Sequence, residues 1–77
     1  MIENIEFKED TIQELLTDAD GSPRWHDECI FSDGGAPPRG EVVKVFARDG
    51  SALLQVAERR MATNFQGNFL EVRFERA

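Results

Sequence analysis

Two short turn signals, Asp49-Gly50 and Gly67-Asn68, constrain the fold of this chain more strongly than any other feature of its sequence. Both dipeptides favour the positive backbone φ that two-residue hairpin turns require. Each signal lies between runs in which apolar and polar side chains alternate, which is the pattern of a strand with one buried face. The second half of the chain is therefore predicted to form consecutive antiparallel strands.

The first turn predicts a hairpin with one apolar face. A two-residue loop at Asp49-Gly50 places Val45 opposite Leu54. The next inward pair is Val43 with Val56, so this face is apolar. The opposite face has an apolar centre and a basic rim, and four of its residues form a candidate partner-binding surface: Lys44, Phe46, Arg48 and Leu53. The alternative is that a helix of the same chain packs on this opposite face.

The second turn predicts another hairpin with a largely apolar inward face. Its inward pairs are Phe65 with Leu70, Thr63 with Val72, and Met61 with Phe74. Inward positions are odd-numbered on the first of these strands, whereas they are even-numbered at Leu54 and Val56. A bulge or bend between Ala57 and Arg60 is expected to produce this shift and to let the sheet curl toward a small barrel. The alternative is a helix over residues 51–62.

The first third of the chain contains signals for one strand and one helix. Alternation from Asn4 to Lys8 predicts a short strand with Ile5 and Phe7 on one side. Thr11-Ile12-Gln13-Glu14 matches the capping box, which predicts that a helix begins here. The helix is expected to end at Gly21 and to bury one apolar stripe, comprising Ile12, Leu15, Leu16 and Ala19.

The centre of the chain combines an apolar segment with one rich in glycine and proline. Residues 26–32 contain Cys29-Ile30-Phe31, which predicts a strand covered on both faces. Glycines and prolines over residues 33–40 predict a flexible loop. The fold class predicted for residues 1–77 is a single small α+β domain, in which a short N-terminal strand and helix precede an antiparallel β-meander of about four strands.

The charge of the chain is unevenly distributed. Nine basic and fifteen acidic residues give a net charge of −6, and ten of the acidic residues lie within residues 1–34. A surface of one sign attracts partners of the other sign, so an acidic partner-binding surface is predicted to include Glu14, Asp18, Asp20, Asp27 and Glu28. The alternative is a solvated surface that keeps a small protein soluble.

The sequence contains no complete metal or catalytic motif. Asp18-Ala19-Asp20-Gly21-Ser22 begins like a calcium loop, but Pro23 stands where that loop needs glycine. The single histidine, His26, is expected at an exposed loop edge, and the single cysteine, Cys29, is expected to be a buried, inert thiol. Neither a metal, a cofactor nor a catalytic residue is predicted, and the chain is not expected to be an enzyme.

These features favour a non-enzymatic interaction protein. The function expected is that of a small acidic inhibitor or regulator that occludes a basic, nucleic-acid-binding surface of a partner protein complex. In size and acidity the chain resembles small phage-encoded proteins that block host defence complexes, including anti-CRISPR proteins. No run approaches the roughly 20 apolar residues of a membrane span. Residues 1–4 also lack the pattern of a secretion signal, so a cytoplasmic location without membrane contact is expected.

Two other functions remain open on sequence grounds. The first is direct nucleic-acid binding by the sheet, in which Phe46 or Phe69 stacks on bases and the basic residues contact phosphate. Those basic residues are Lys44, Arg48, Arg59, Arg60 and Arg73. The second is a structural role in a homodimer, larger oligomer or virion, through pairing of the strand edge formed by residues 69–76.

Overall fold

The computed structural model describes residues 2–32 and 35–77, and in these ranges the chain forms one five-stranded sheet and one short α-helix. The strands are β1 (Glu3–Phe7), β2 (His26–Asp27), β3 (Val42–Ala47), β4 (Gly50–Asn64) and β5 (Gly67–Arg76). The helix α1 spans Ile12–Leu16, and a 3-10 helix spans Glu28–Ile30. The strand order is β1-β3-β4-β5-β2. β1 is parallel to β3, and all other pairs are antiparallel.

The predicted α+β fold is confirmed in outline, although the structure is mostly β and its sheet curls part of the way toward a barrel. The meander has three consecutive strands, β3, β4 and β5, where about four were predicted. β1 and β2 are added at its two edges. No α-helix in the described part of the chain has the length and apolar character needed to cross a membrane.

The β3–β4 hairpin has the predicted buried face but a different register. Val43 pairs with Leu54 and Val45 pairs with Ala52, two residues away from the predicted partners. A shift of two residues leaves every side chain on its original face, because the side chains of a strand alternate with a period of two. Val43, Val45 and Leu54 are therefore fully buried, as the pattern indicated.

The register differs because the loop consists of Arg48 and Asp49, with Ala47 opposite Gly50. Gly50 has a φ of 132°, and no other residue type takes a positive φ in the described ranges. Asp49 thus avoids the strained conformation that the predicted turn demanded. Its Oδ1 instead accepts a hydrogen bond of 3.0 Å from the Ile12 amide. This hydrogen bond holds the turn against the start of α1, which lies 37 residues earlier in the sequence.

The β4–β5 hairpin also differs from its predicted register. Phe65 and Gln66 form the loop, Asn64 pairs with Gly67, and Met61 pairs with Leu70 instead of Phe74. Gly67 has a φ of 122°. The Asn64 Oδ1 accepts a hydrogen bond of 2.8 Å from the Gln66 amide, which favours this loop position over the predicted one.

The predicted phase shift is confirmed. The pairing of β4 with β5 changes register between Val56 and Glu58, so that Ala57 is the extra residue of a β-bulge. β4 is a strand throughout, and the alternative of a helix over residues 51–62 is wrong. Beyond the bulge, the β4–β5 hairpin extends past the core. The side chains of Met61 and Phe65, which were predicted to face inward, are therefore exposed.

The core lies between the concave face of the sheet and α1. It is built almost entirely from aliphatic and phenylalanine side chains: Ile5, Ile12, Leu15, Phe31, Val43, Val45, Leu54, Val56, Val72 and Phe74. His26 is the one buried polar residue that the described ranges contain, with 5% of its surface exposed. Its ring lies between those of Phe7 and Phe74, with both centroid distances 5.4 Å. The prediction of an exposed His26 is therefore wrong.

The capping box at the start of α1 is confirmed by two reciprocal hydrogen bonds. The Thr11 amide donates to the Glu14 carboxylate at 2.9 Å, and the Glu14 amide donates to the Thr11 hydroxyl at 3.1 Å. The helix nevertheless ends at Leu16, well before Gly21, and Ala19 is exposed.

Residues 24 and 26 explain why α1 stops early. The Arg24 guanidinium donates to the Glu14 carbonyl at 2.9 Å, and the Arg24 amide donates to the Leu16 carbonyl at 3.1 Å. The His26 Nε2 lies 2.8 Å from the Leu15 carbonyl and donates to it. Three consecutive carbonyls at the end of α1 are thus occupied by the returning chain, and no further helical turn is needed to satisfy them.

The predicted strand over residues 26–32 is wrong. Only His26 and Asp27 pair with β5, and the Asp27 carboxylate then accepts a 2.8 Å hydrogen bond from the Cys29 amide. This bond caps the 3-10 helix, because it satisfies an amide that the helix leaves unpaired. The turn buries Phe31 and exposes Cys29, so the prediction of a buried thiol is also wrong.

The predicted loop is described over residues 35–40, whereas Asp33 and Gly34 lie outside the described residues. Its end is tied to the sheet. The Gly40 amide donates to the Val56 carbonyl at 2.8 Å, and the Glu41 amide donates to the Pro38 carbonyl at 3.1 Å. The loop therefore leads directly into the start of β3.

Replacing Gly50 by alanine is expected to lower the free energy of unfolding by about 1–2 kcal/mol. An added Cβ would meet no atom within 4 Å, so the cost comes from the positive φ alone. Gly35 is a matched control, because it has the same open surroundings without a positive φ. Urea unfolding followed by Trp25 fluorescence measures both variants. Equal effects of the two substitutions would contradict the assigned turn.

Candidate functional site

Three of the five predicted acidic residues lie together at the end of α1 and in the turn after it. Glu14 and Asp18 line a shallow depression of about 360 Å³, and Asp20 follows in the turn of residues 18–22. All three residues are exposed. The group Glu14, Asp18 and Asp20 is called the acidic surface below.

Local hydrogen bonds keep two of these carboxylates ionised. The Thr11 amide and hydroxyl lower the pKa of Glu14, and the Arg48 and Arg24 guanidinium groups lower it further. The Ser22 hydroxyl and amide lower the pKa of Asp20. Glu14 and Asp20 therefore keep their negative charges at neutral and mildly acidic pH.

Asp27 and Glu28 are not part of the acidic surface. Asp27 lies in β2, beside β5, and Glu28 begins the 3-10 helix. Asp27 lines a different depression, of about 220 Å³, at the loop between β4 and β5. The five acidic residues are thus divided between two places on the molecule.

The other candidate surface, on the outer face of the sheet, is open. Lys44 pairs with Leu53 across the β3–β4 hairpin, and its Nζ lies 5.3 Å from the centroid of the Phe46 ring. Leu53 is 49% exposed and Phe46 is 38% exposed. The buried side chains of α1 join the core on the concave face, so the alternative in which α1 covers the outer face is wrong.

Arg48 does not join the other three residues of that candidate surface. It lies in the loop between β3 and β4, where its guanidinium is 3.2 Å from the Glu14 carboxylate and 3.3 Å from the Glu9 carbonyl. The structure therefore brings Lys44, Phe46 and Leu53 together and places Arg48 beside the acidic surface.

Ion pairs neutralise most of the positive charge on the rest of the outer face. Arg60 bonds the Glu71 carboxylate at 2.9 Å, and Arg73 bonds the Glu58 carboxylate at 2.9 Å. The Arg60 guanidinium also lies 4.0 Å from the centroid of the Trp25 ring. Sequence reasoning missed this stack, because it depends on the pairing of β2 with β5. A face with balanced charges has little attraction for phosphate.

His26 and Cys29 do not form a catalytic pair. The imidazole is in the core, whereas the thiol is exposed. The Asp27 carboxylate raises the pKa of the Cys29 thiol, which disfavours the nucleophilic thiolate. Within residues 2–32 and 35–77, no group of three or more histidine, cysteine or acidic side chains is placed to hold a metal ion.

A third exposed surface, which was not predicted from the sequence, lies at the far end of the β4–β5 hairpin. Phe65 in its loop is 96% exposed and Met61 is 62% exposed, although both were predicted to face inward. The segment of residues 61–70 contains no charged side chain and is called the hairpin arm below. Its lack of charge is the sequence signal that distinguishes it, because 31% of the residues of the chain are charged.

No protein-family model matches the chain, and neither a curated protein nor a solved structure matches it.

Proposed function

We propose that this protein acts by binding and not by catalysis, as a small acidic inhibitor or regulator. In this proposal, the acidic surface covers a basic, nucleic-acid-binding surface of a partner protein complex in the cytoplasm. Small phage-encoded proteins that block host defence complexes, including anti-CRISPR proteins, act in this general way and have similar size and acidity.

The observation that carries the proposal is the grouping of three exposed carboxylates at the end of α1 and in the turn after it, where Glu14 and Asp18 line one shallow depression together with Arg24. Local hydrogen bonds maintain the charges of Glu14 and Asp20, and the net charge of −6 adds a long-range field of the same sign. Such a field accelerates encounter with a basic partner and opposes binding to an acidic one.

Direct nucleic-acid binding is supported less well. Three of the basic residues suggested for it, Arg48, Arg60 and Arg73, are paired with carboxylates. Phosphate would have to displace these carboxylates while approaching a molecule of net negative charge. Retention of RNA or DNA on a filter at low salt would nevertheless restore this alternative.

Reversing one charge of the acidic surface is expected to weaken partner binding about tenfold or more, because it places like charges in contact. Asp18→Lys is the preferred change, since Glu14 also caps α1 and Asp20 bonds Ser22. Glu41→Lys is the matched control, because it makes the same change of charge at an exposed residue before β3. The wild-type chain and both variants serve as baits for affinity capture from the native host, followed by mass spectrometry.

A partner that fits the proposal is retained by the wild-type chain and by Glu41→Lys but is lost with Asp18→Lys. It is eluted by added salt, and its own binding to nucleic acid is inhibited by the wild-type chain. Equal retention on all three baits at high salt would exclude the acidic surface as the contact.

A further inference from the structure

We propose that the hairpin arm, residues 61–70, is a contact between two copies of this chain. The arm extends beyond the core and exposes two large apolar side chains, Phe65 and Met61. Neither side chain packs in the core of the monomer. Exposed apolar side chains that lie close together are typical of a contact with another molecule. The proposed contact is separate from the acidic surface and does not depend on the function proposed for that surface.

The arm is held in a defined conformation. β4 and β5 remain paired to its end, at Asn64 and Gly67. The Thr63 hydroxyl donates to the Asn68 side-chain oxygen at 2.7 Å across the two strands, and the Asn64 carboxamide oxygen accepts from the Gln66 amide at 2.8 Å. Phe65 is thus presented on an ordered loop, which reduces the entropy lost when it is buried in a contact.

The distribution of charge favours a second copy as the occupant. Each copy carries a net charge of −6, so a contact through the acidic surfaces would bring like charges together. The arm is ten residues without a charge, and no other run of that length occurs in the sequence. The arm itself therefore adds no charge to a contact between two acidic copies, and among the described residues Asp27 is the one charged residue that lines the depression beside its loop.

The backbone of the arm provides a means of pairing. β2 pairs only with Glu71 and Val72. The 3-10 helix after β2 contacts β5 but forms no strand pair with it, so the part of the chain that the structure describes places no strand beside Gly67–Leu70 on that edge. An open edge pairs readily with a strand of another chain. Antiparallel pairing of Gly67–Leu70 with the same residues of a second copy forms a symmetric dimer in which both copies use the same surface.

The same open edge argues against insertion of the arm into a membrane. Backbone amides and carbonyls without partners are costly to place in lipid. The net negative charge of the chain also opposes approach to an anionic bilayer. A protein strand satisfies the edge, whereas lipid does not.

The test is sedimentation of the purified full-length chain over a series of concentrations and of salt concentrations. The wild-type chain is expected to form dimers as its concentration rises. Added salt should strengthen the dimer, because it screens the repulsion between two negatively charged copies. This salt dependence is opposite to that expected for the acidic surface and a basic partner, so the two proposals can fail separately.

Phe65→Ser is expected to lower the association constant about tenfold or more. The proposed contact buries one Phe65 from each copy, so the variant dimer loses both of these phenylalanines. Leu53→Ser is the matched control, because it removes an exposed apolar side chain from the outer face of the sheet. Unchanged circular dichroism and unfolding midpoints show that both variants fold. A wild-type chain that stays monomeric at every concentration and salt concentration would overturn the proposal. Loss of the dimer in Leu53→Ser but not in Phe65→Ser would overturn it equally.

Discussion

Replacing Leu15 by alanine is expected to lower the free energy of unfolding by about 2–5 kcal/mol, the usual cost of removing a fully buried leucine side chain. Leu15 has 0% of its surface exposed and joins α1 to the core. A helix of five residues is not stable alone, so it depends on this contact. A chain of 77 residues has a stability of about 4–12 kcal/mol, of which the substitution removes a large part.

The effect of Leu15→Ala is measured by urea unfolding, with Leu53→Ala as the control. Leu53 is the same residue type but is 49% exposed on the outer face. Its replacement is expected to change the free energy of unfolding by less than about 0.5 kcal/mol. Similar losses in the two variants would show that α1 is not anchored through Leu15. Because Glu14 lies on α1, and Asp18 and Asp20 lie in the turn that follows, Leu15→Ala should also weaken any binding that uses the acidic surface.

The second large effect is a loss of stability on mild acidification, caused by His26. Burial lowers the pKa of His26 from its ordinary value of 6.5, and the nearby Arg24 guanidinium lowers it further. The hydrogen bond to the Leu15 carbonyl and the charges of Asp10 and Asp18 oppose this shift, but burial is the largest cause. The folded state therefore favours the neutral imidazole.

The sign of the pH dependence follows from the lowered pKa. Well above pH 6.5, His26 is neutral in both the folded and the unfolded chain, and its full contribution to stability is present. Below pH 6.5, the unfolded chain binds a proton that the folded chain disfavours, so stability falls until the pH reaches the folded pKa. The loss is at most about 1.4 kcal/mol for each pH unit.

Urea unfolding between pH 7.5 and 5.5 measures this dependence. His26→Phe is expected to flatten it, because phenylalanine retains an aromatic ring between Phe7 and Phe74 but cannot bind a proton. Glu14 and Asp20 contribute little in this range, since their lowered pKa values place their titration at more acidic pH. An equal pH dependence in the wild-type chain and in His26→Phe would exclude His26 as its cause.

The exposed and buried faces of the sheet were predictable, whereas the pairing of its strands was not. Alternation at Val43, Val45 and Leu54 determines which side chains face the core, and a register shift of two residues does not alter it. In the observed register of the first hairpin, Asp49 also accepts a hydrogen bond from the Ile12 amide, which joins distant parts of the chain. No local pattern predicts that contact.

The candidate surfaces were predictable to a similar extent. Lys44, Phe46 and Leu53 share a face because of their spacing along two adjacent strands. Arg48 does not share that face, because the turn carries it toward Glu14. The hairpin arm was misjudged for a different reason. Its alternation predicts an inward face, but the core ends before it reaches Met61, so that face has nothing to cover it.

The sequence by itself determined where α1 begins, which strand faces are apolar, and that β4 contains a bulge, because hydrogen bonds and side-chain alternation within a few residues specify each of them. The tertiary structure alone decided where α1 ends, that β1 and β2 join the two edges of the sheet, and that His26 is buried. Each of these outcomes depends on contacts between residues that only the folded chain brings together. The Leu15 carbonyl is an example, because its partner, the His26 ring, reaches it only after the chain has returned to the sheet.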